Sequence, residues 1–441
     1  MAGIFKAYDI RGIYGTELTD EIAFKIGRAV ATFLRPKSFV IGHDMRPHSI
    51  PVFNAMAKGL TMQGVDVINI GLASTPMSYH ANGKLGADGS AIITASHNPG
   101  EWNGMKICRE LAIPISGATG IADIERLVNE ESFDEPAATP GTITEYDIKP
   151  EYFEHVRSFA EIEKPIDVLI DYANGMGILE GEAFTDAMFN ITPMYDELDG
   201  TFPNHEANPL ALETLDAISA KLKEGNYAFG IAFDGDADRA GFLDENGDNV
   251  SMDIITALIA KSLLEKVPGA PVFYDLRSSW AVKEVIEESG GQPMMSRVGH
   301  AFIKAQMREA DAVFAGELSG HYYFKDNYYT ESSALAAIYV ANLLSETGKP
   351  LSELVKPIRR YFASGEINSK VADVEAVFAR LNEKFSDAKT FQLDGNSYEY
   401  ADWWFNVRCS NTEPLVRLNL EAKTPEQMAE KRDEVLALIR A

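Results

Sequence analysis

One local grammar recurs along the chain: an apolar strand, a polar or glycine-bearing turn, then an amphipathic helix. It is first clear around Thr19-Asp20-Glu21, where Thr19 or Asp20 is placed to cap a helix. The apolar positions Ile22, Ile26, Val30, Phe33 and Leu34 then fall at helical spacing. Strand-like Val40-Ile41 follows and leads into the turn Gly42-His43-Asp44-Met45-Arg46-Pro47. The same order returns at Val168–Asp171 before Tyr172–Gly177, and at Val272–Asp275 before Leu276–Ser279. Strands that alternate with helices imply α/β layers built on mainly parallel sheets.

At 441 residues the chain exceeds one typical domain. Linker-like stretches divide it: Pro136 to Gly141, the turn Asn246-Gly247-Asp248, and Pro357 to Gly365. The expected organisation is three mixed α/β domains of similar topology, at 1–142, 143–246 and 247–362, plus a smaller C-terminal α+β domain at 363–441. Apolar runs are short and interrupted, so no transmembrane span is expected, and Met1–Lys6 lacks the apolar core of a signal peptide. Cys108 and Cys409 read as two free thiols of a reducing cytoplasm. A formal net charge of −26 disfavours nucleic acid and anionic membranes as partners. Against that background a phosphate-ester substrate requires cations gathered locally. Arg11, Lys106, Arg239, Arg408 and Arg417 all lie in motif-like segments.

Four segments carry chemistry. In Thr94-Ala95-Ser96-His97-Asn98-Pro99, a serine follows the strand Gly89–Ile93 and is expected to be exposed. Neighbouring side chains point apart, so His97 is not expected to reach the Ser96 hydroxyl. The serine must be activated otherwise or carry a group delivered by a substrate. In Asp234-Gly235-Asp236-Ala237-Asp238-Arg239, three alternating carboxylates can converge on one hard cation such as Mg²⁺, with Arg239 beside it to reach a phosphate oxygen. An EF-hand loop disagrees with this segment, because Arg239 stands where glycine is required and a strand enters. A phosphatase using Asp234 as nucleophile is the serious competitor. In Gly316-Glu317-Leu318-Ser319-Gly320-His321, Glu317 and Ser319 alternate and suit sugar hydroxyls, while the glycines permit close backbone approach. In Arg408-Cys409-Ser410-Asn411-Thr412-Glu413-Pro414, followed by Leu415-Val416-Arg417, the donors suit an anion-binding nest. Each segment taken alone is also compatible with an ordinary polar turn.

Taken together and in this order, the four segments resemble the α-D-phosphohexomutase superfamily, closest to its bacterial phosphomannomutase/phosphoglucomutase branch. Asp199–His205 resembles a further family segment. The resemblance implies four domains around a central active-site cleft. It also implies a phosphorylated Ser96, and Mg²⁺ held by Ser96, Asp234, Asp236 and Asp238. The implied reaction interconverts mannose or glucose 1-phosphate and 6-phosphate through a hexose 1,6-bisphosphate, which also serves as activator. Ser96, Arg11, His97 and Lys106 are the implied catalytic set, with Arg11 and Lys106 stabilising the transferring group or assisting proton movement. Glu317, Ser319 and His321 would orient the hexose, with Arg239, Arg277 and His300 also on the substrate. Arg408, Ser410, Asn411, Thr412 and Arg417 would hold the non-reacting phosphate. Reading two poses of one bisphosphate favours a flexible last domain. The family often carries lysine at the position of Arg277, and arginine there makes a planar, bidentate contact instead. A cytoplasmic isomerase of carbohydrate metabolism is expected, as a monomer or dimer. The alternatives are a phosphoglucosamine mutase, an aspartate-nucleophile sugar phosphatase, and a sugar-phosphate-binding protein without turnover.

Overall fold

The first long helix, Asp20–Leu34, begins where its sequence predicts: Thr19 Oγ1 accepts the Ile22 N–H at 3.2 Å. It stops at Arg35, which takes a left-handed conformation and returns its N–H to the Ala31 carbonyl. Its inner face packs on the helix Ser49–Met62 so closely that a Cβ on Gly27 would lie 2.2 Å from the Met56 carbonyl oxygen. The computed structural model describes residues 3–409 and 415–441, and no helix among them is long and apolar enough to cross a membrane.

Four sheets follow one another along the chain. The first contains β1 (Ile10–Ile13), β2 (Ser38–His43), β3 (Asp66–Leu72), β4 (Gly89–Ile93), β5 (Trp102–Arg109) and β6 (Ile143–Glu145), in the order β1-β5-β4-β2-β3-β6. The second contains β7 (Ile166–Asp171), β8 (Phe189–Met194), β9 (Phe229–Phe233), β10 (Ala240–Asp244) and β11 (Asn249–Val250), in the order β11-β10-β9-β7-β8. The third contains β12 (Pro271–Asp275), β13 (Gln292–Ser296), β14 (Phe314–Gly316), β15 (Tyr322–Phe324) and β16 (Thr330–Glu331), in the order β13-β12-β14-β15-β16. The fourth contains β17 (Phe362–Ala363), β18 (Ile367–Lys370), β19 (Lys389–Gln392), β20 (Asn396–Glu399), β21 (Trp403–Cys409) and β22 (Leu415–Ala422). Its path is β17-β22-β21-β20-β19, with β18 also on β22.

Two expected boundaries move. The pairing of β6 with β3 carries the first sheet to Glu145 rather than 142. The Asn246-Gly247-Asp248 stretch is the turn its sequence suggests, and it closes a hairpin. Asp244 Oδ1 accepts the N–H groups of Asn246 and Asp248, Gly247 takes φ 76°, and β11 pairs back on β10, so the second sheet runs to Val250 rather than 246.

The first three sheets share a device. Strands β4, β9 and β14 each pair in parallel with an earlier strand, then turn and pair antiparallel with the next one, β5, β10 and β15. The Ser96, Asp234–Arg239 and Gly316–His321 segments each sit at that reversal. The fourth sheet is antiparallel throughout, and its β21–β22 pair flanks the remaining segment.

Apolar packing separates the units unequally. One cluster runs from Val40 and Ile92 of the first sheet, through Val168 and Phe229 of the second, to Val272 and Tyr322 of the third. The helix Ser333–Thr347, buried on most of its surface, lies inside it. The fourth unit has its own core of Leu381, Tyr398, Phe405, Leu418 and Ile439. A polar bond joins it to the third unit: Glu421 Oε1, which also accepts the Trp404 Nε1–H within its own unit, accepts the Trp280 N–H, each at 3.0 Å.

Candidate active site

Ser96 closes the turn after β4. It is 1% exposed, not exposed as its sequence context suggests, and its φ is 53°. The left-handed backbone also overturns the expectation about its neighbour. The turn brings His97 Nδ1 to 3.3 Å from Ser96 Oγ, which an extended dipeptide would not allow. Ser96 Oγ donates to Asp234 Oδ2 at 3.0 Å, and Thr94 Oγ1 accepts the Ser96 N–H at 2.9 Å. Arg11, on β1, donates to the Ala95 carbonyl at 3.3 Å and to Asn98 Oδ1 at 2.8 Å, while Asp9 holds its other side at 2.6 Å. Burial, and then the charges of Arg239 and Arg11, push the His97 imidazole well below its ordinary range.

The second loop meets Ser96 across the boundary between the first two units, through Asp234 and the Gly235 backbone. A Cβ on Gly235 would lie 2.4 Å from the Ser96 carbonyl oxygen, so only glycine allows this approach. Lys106, reaching from β5, donates to Asp236 Oδ2 and Asp238 Oδ2 at 2.5 Å each, and Thr75 Oγ1 adds a 2.6 Å bond to Asp236. Burial and the neighbouring Asp236 and Asp238 charges push the Asp234 carboxyl up. Against burial, Lys106 and His321 hold Asp238 well down. A cation fits this set. Carboxylate oxygens of Asp234, Asp236 and Asp238 lie within 4.8 Å of one another. Asp236 Oδ1 and Asp238 Oδ1 are buried with no hydrogen-bond donor among the described residues. Oxygen-only ligands of this charge suit Mg²⁺.

The third loop hangs beside this cluster. Glu317 is 1% exposed, and both its oxygens are engaged, by Gly299 N–H at 3.0 Å and Tyr323 Oη at 2.5 Å. His321 stands 3.2 Å from Glu317 and 3.4 Å from Asp238. Although burial disfavours its charge, Asp238 and Glu317 hold it at about 9. Ser319 Oγ lies 2.9 Å from His321 Nδ1, and Arg239 Nε lies 3.3 Å from His321 Nε2. His300 packs edge-on to Tyr8 at 5.4 Å, and its buried Nδ1 has no partner among the described residues. Glu317 therefore supports the loop as much as it faces a ligand, while Ser319 is the more open of the two.

Arg277 leaves β12 and is clamped by Asp275 at 3.0 and 2.8 Å. Asp275 also accepts the Leu318 N–H at 2.7 Å, tying Arg277 to the Gly316–His321 loop. Arg408 and Arg417 face each other across β21 and β22. Ser410, Asn411 and Thr412 lie outside the described residues.

Sequence reading missed several supports. Arg46, 2% exposed, donates to the carbonyls of Ser96, Asn98, Pro99 and Trp102 at 2.6–3.0 Å and so shapes the serine turn. Phe202, from the Asp199–His205 segment, stacks under it at 5.1 Å. Its position in a polar turn after a strand, like the four loops, is the signal that could have found it. The pair Lys304–Glu331, fully buried at 2.6 Å behind Asp238 and His321, has no motif to announce it. Glu366 stands between Arg277, Arg408 and Arg417.

Family models described as phosphoglucomutase/phosphomannomutase match four consecutive parts of the chain. These are alpha/beta/alpha domain I at residues 2–135, domain II at 150–247, domain III at 251–361, and the C-terminal domain at 366–438. A phosphomannomutase of Salmonella montevideo is 41% identical over 99% of this chain and 98% of its own length. A phosphomannomutase of Methanocaldococcus jannaschii is 41% identical over 99% and 97%. The crystal structure of a phosphoglucomutase/phosphomannomutase family protein from Burkholderia thailandensis superposes with a TM-score of 0.91 at 31% identity, covering 99% of this chain and 96% of that one.

Proposed function

Because the chain belongs to the phosphoglucomutase/phosphomannomutase family and is a hexose-phosphate mutase, we propose that it interconverts mannose or glucose 1-phosphate and 6-phosphate through a phosphorylated Ser96 and a hexose 1,6-bisphosphate. The observation that carries this reading is the buried Ser96 Oγ, 3.0 Å from Asp234, whose carboxylate clusters with those of Asp236 and Asp238, both bonded to Lys106.

The reading assigns each residue a task. In the first half-reaction the Ser96 Oγ–P bond breaks as the free sugar hydroxyl takes the phosphoryl group and gives up its proton. In the second, the other phosphoryl returns to Ser96 Oγ and a proton returns to the sugar oxygen. Arg11 and Lys106 offset charge on the transferring group or assist proton movement. His97 sits beside Ser96 Oγ, and Arg46 holds the turn so that Oγ faces the cleft. Asp234, Asp236 and Asp238, with a Ser96 oxygen, would hold Mg²⁺, which supplies electrostatic stabilisation of the phosphoryl group. Glu317, Ser319 and His321 orient the hexose, with Arg239, Arg277 and His300 alongside. Arg408 and Arg417, with Ser410, Asn411 and Thr412, grip the phosphate that is not reacting. Leu318 in the sugar-facing loop favours mannose and glucose over glucosamine phosphates, by its resemblance to the bifunctional branch. The four functional units, the cytoplasmic location and a monomeric or dimeric state belong to the same reading.

The test incubates the protein with Mg²⁺, glucose 1,6-bisphosphate and, separately, mannose, glucose and glucosamine 1-phosphates. Formation of mannose or glucose 6-phosphate is expected, with kcat/KM ranking the sugars. A preference for glucosamine would favour the phosphoglucosamine mutase. Free phosphate without any 6-phosphate would indicate the aspartate-nucleophile phosphatase, and binding without product a non-catalytic role.

A further inference from the structure

Glu366 follows the Ser364-Gly365 turn that opens the fourth unit, with Gly365 at φ 68°. Its carboxylate meets three guanidinium groups. Arg408 Nη2 donates to Oε2 at 2.5 Å, Arg417 Nη1 to Oε1 at 3.4 Å, and Arg277 Nη1 stands 3.8 Å from Oε2. The arginines are held by different means. Asp275 clamps Arg277 on its far side, while Arg408 and Arg417 are direct cross-strand partners. Two like charges opposite each other across a ladder repel unless something sits between them. Arg408 Nε and Arg417 Nε are buried and find no acceptor among the described residues.

We propose that Glu366 is a built-in competitor for the substrate's phosphate. Its carboxylate holds the same guanidinium groups that the phosphate needs, so an entering phosphate must displace it or share them with it. This rests on reading Arg277, Arg408 and Arg417 as a phosphate cradle. A phosphate recruits such a cradle through several charge-assisted bonds, as a carboxylate does with fewer oxygens and less charge. Against burial, Arg408 and Arg277 keep the Glu366 carboxyl below its usual range, so it stays ionised at neutral pH. Its side chain is 25% exposed, leaving room for it to swing aside. The consequence suits the chemistry. A bisphosphate intermediate must let go by one phosphate and be gripped again by the other. A cradle of arginines alone would hold each phosphate too long; a resident carboxylate keeps the cations aligned and lowers the cost of letting go.

The test is Glu366→Gln, with calorimetric titration of inorganic phosphate and steady-state KM and kcat for the hexose 1-phosphate. Phosphate is expected to bind about tenfold tighter, a shift of ~1.4 kcal/mol, with KM falling and kcat falling too as release slows. A purely structural tie between the two units would give the opposite, a weaker phosphate affinity as the arginines splay. Unchanged or weaker binding by a folded Glu366→Gln therefore overturns the proposal. If that variant does not fold, Glu366→Asp, which keeps the charge but shortens its reach, decides by the same criterion. Arg417→Ala runs in the same titration. If it binds phosphate like the wild type, the cradle reading itself fails. If it binds more weakly while Glu366→Gln does not bind more tightly, only the competitor role fails.

Discussion

The two ends of the cleft handle charge in opposite ways. At the serine end, Lys106 is pinned between two aspartates at 2.5 Å each, and Ser96, Asp234, Asp236 and Asp238 are all within 2% of full burial. At the arginine end, one carboxylate serves three arginines at distances that spread from 2.5 to 3.8 Å, and Glu366 is 25% exposed. The first end is built from units that share a continuous core; the second spans the junction to a unit with its own. Groups that must face a reacting atom are fixed by backbone and burial. In the proposed function, the groups that grip and release a phosphate are the ones carried on longer, partly exposed ties.

The contrast can be broken from either side. Ser96→Ala has the largest expected effect: turnover with Mg²⁺ and bisphosphate should fall ~10³-fold or more, with an unchanged melting temperature. Near-normal rates would remove Ser96 from the chemistry. Next is Lys106→Met, which leaves two buried carboxylates without their cation. Urea unfolding in EDTA should show a loss of about 3–5 kcal/mol, partly recovered by added Mg²⁺, because a ligand of the native state stabilises it. Wild-type stability in EDTA would mean the aspartates do not depend on Lys106. On the other side, Arg417→Ala should cost ~1.5–3 kcal/mol of substrate binding, read as a raised KM with kcat less affected. An unchanged KM would place the non-reacting phosphate elsewhere.

The smallest effect concerns the junction of the first two units. Burial raises the Glu180 carboxyl to about 7, although Ser74 and Tyr152 donate to it at 2.5 and 2.7 Å. A carboxyl whose native pKa exceeds its unfolded one adds stability that is full below the unfolded value and is lost as pH rises through the native value. Glu180→Gln cannot titrate. Its melting temperature relative to wild type should therefore rise by a few degrees between about pH 5 and about pH 8. A constant difference across that range would show that Glu180 holds its charge state.

Much of the site was legible because its chemistry is contiguous. Asp234 to Arg239 and Gly316 to His321 each place their groups within one loop after an apolar strand, so spacing alone suggested convergence. The alternation of strands and helices likewise yielded the layered fold. What stayed hidden acts across long separations. Arg46 works on carbonyls some 50 to 56 residues away, through backbone atoms that leave no mark on residue type. Glu366 meets Arg408 and Arg417 at separations of 42 and 51 residues. The left-handed turn at Ser96 contains no glycine to betray it, so both the burial of the serine and its contact with His97 escaped prediction. Strands as short as β6 and β11 form because a neighbouring edge accepts them, which local pattern does not encode.

The Ser96, Asp234–Arg239 and Gly316–His321 loops each span a hairpin whose ladder closes on both sides, at Ile93–Met105, Phe233–Ala240 and Gly316–Tyr322, and Cys409 and Val416 pair likewise across β21 and β22. In a hairpin the length and turn of the loop help fix the register of its strands, so each of these loops is tied to the sheet that carries it. The loops are nonetheless wired to one another: His321 stands 3.4 Å from Asp238 and 3.3 Å from Arg239, so a change made in the Gly316–His321 loop is felt at the carboxylates as well.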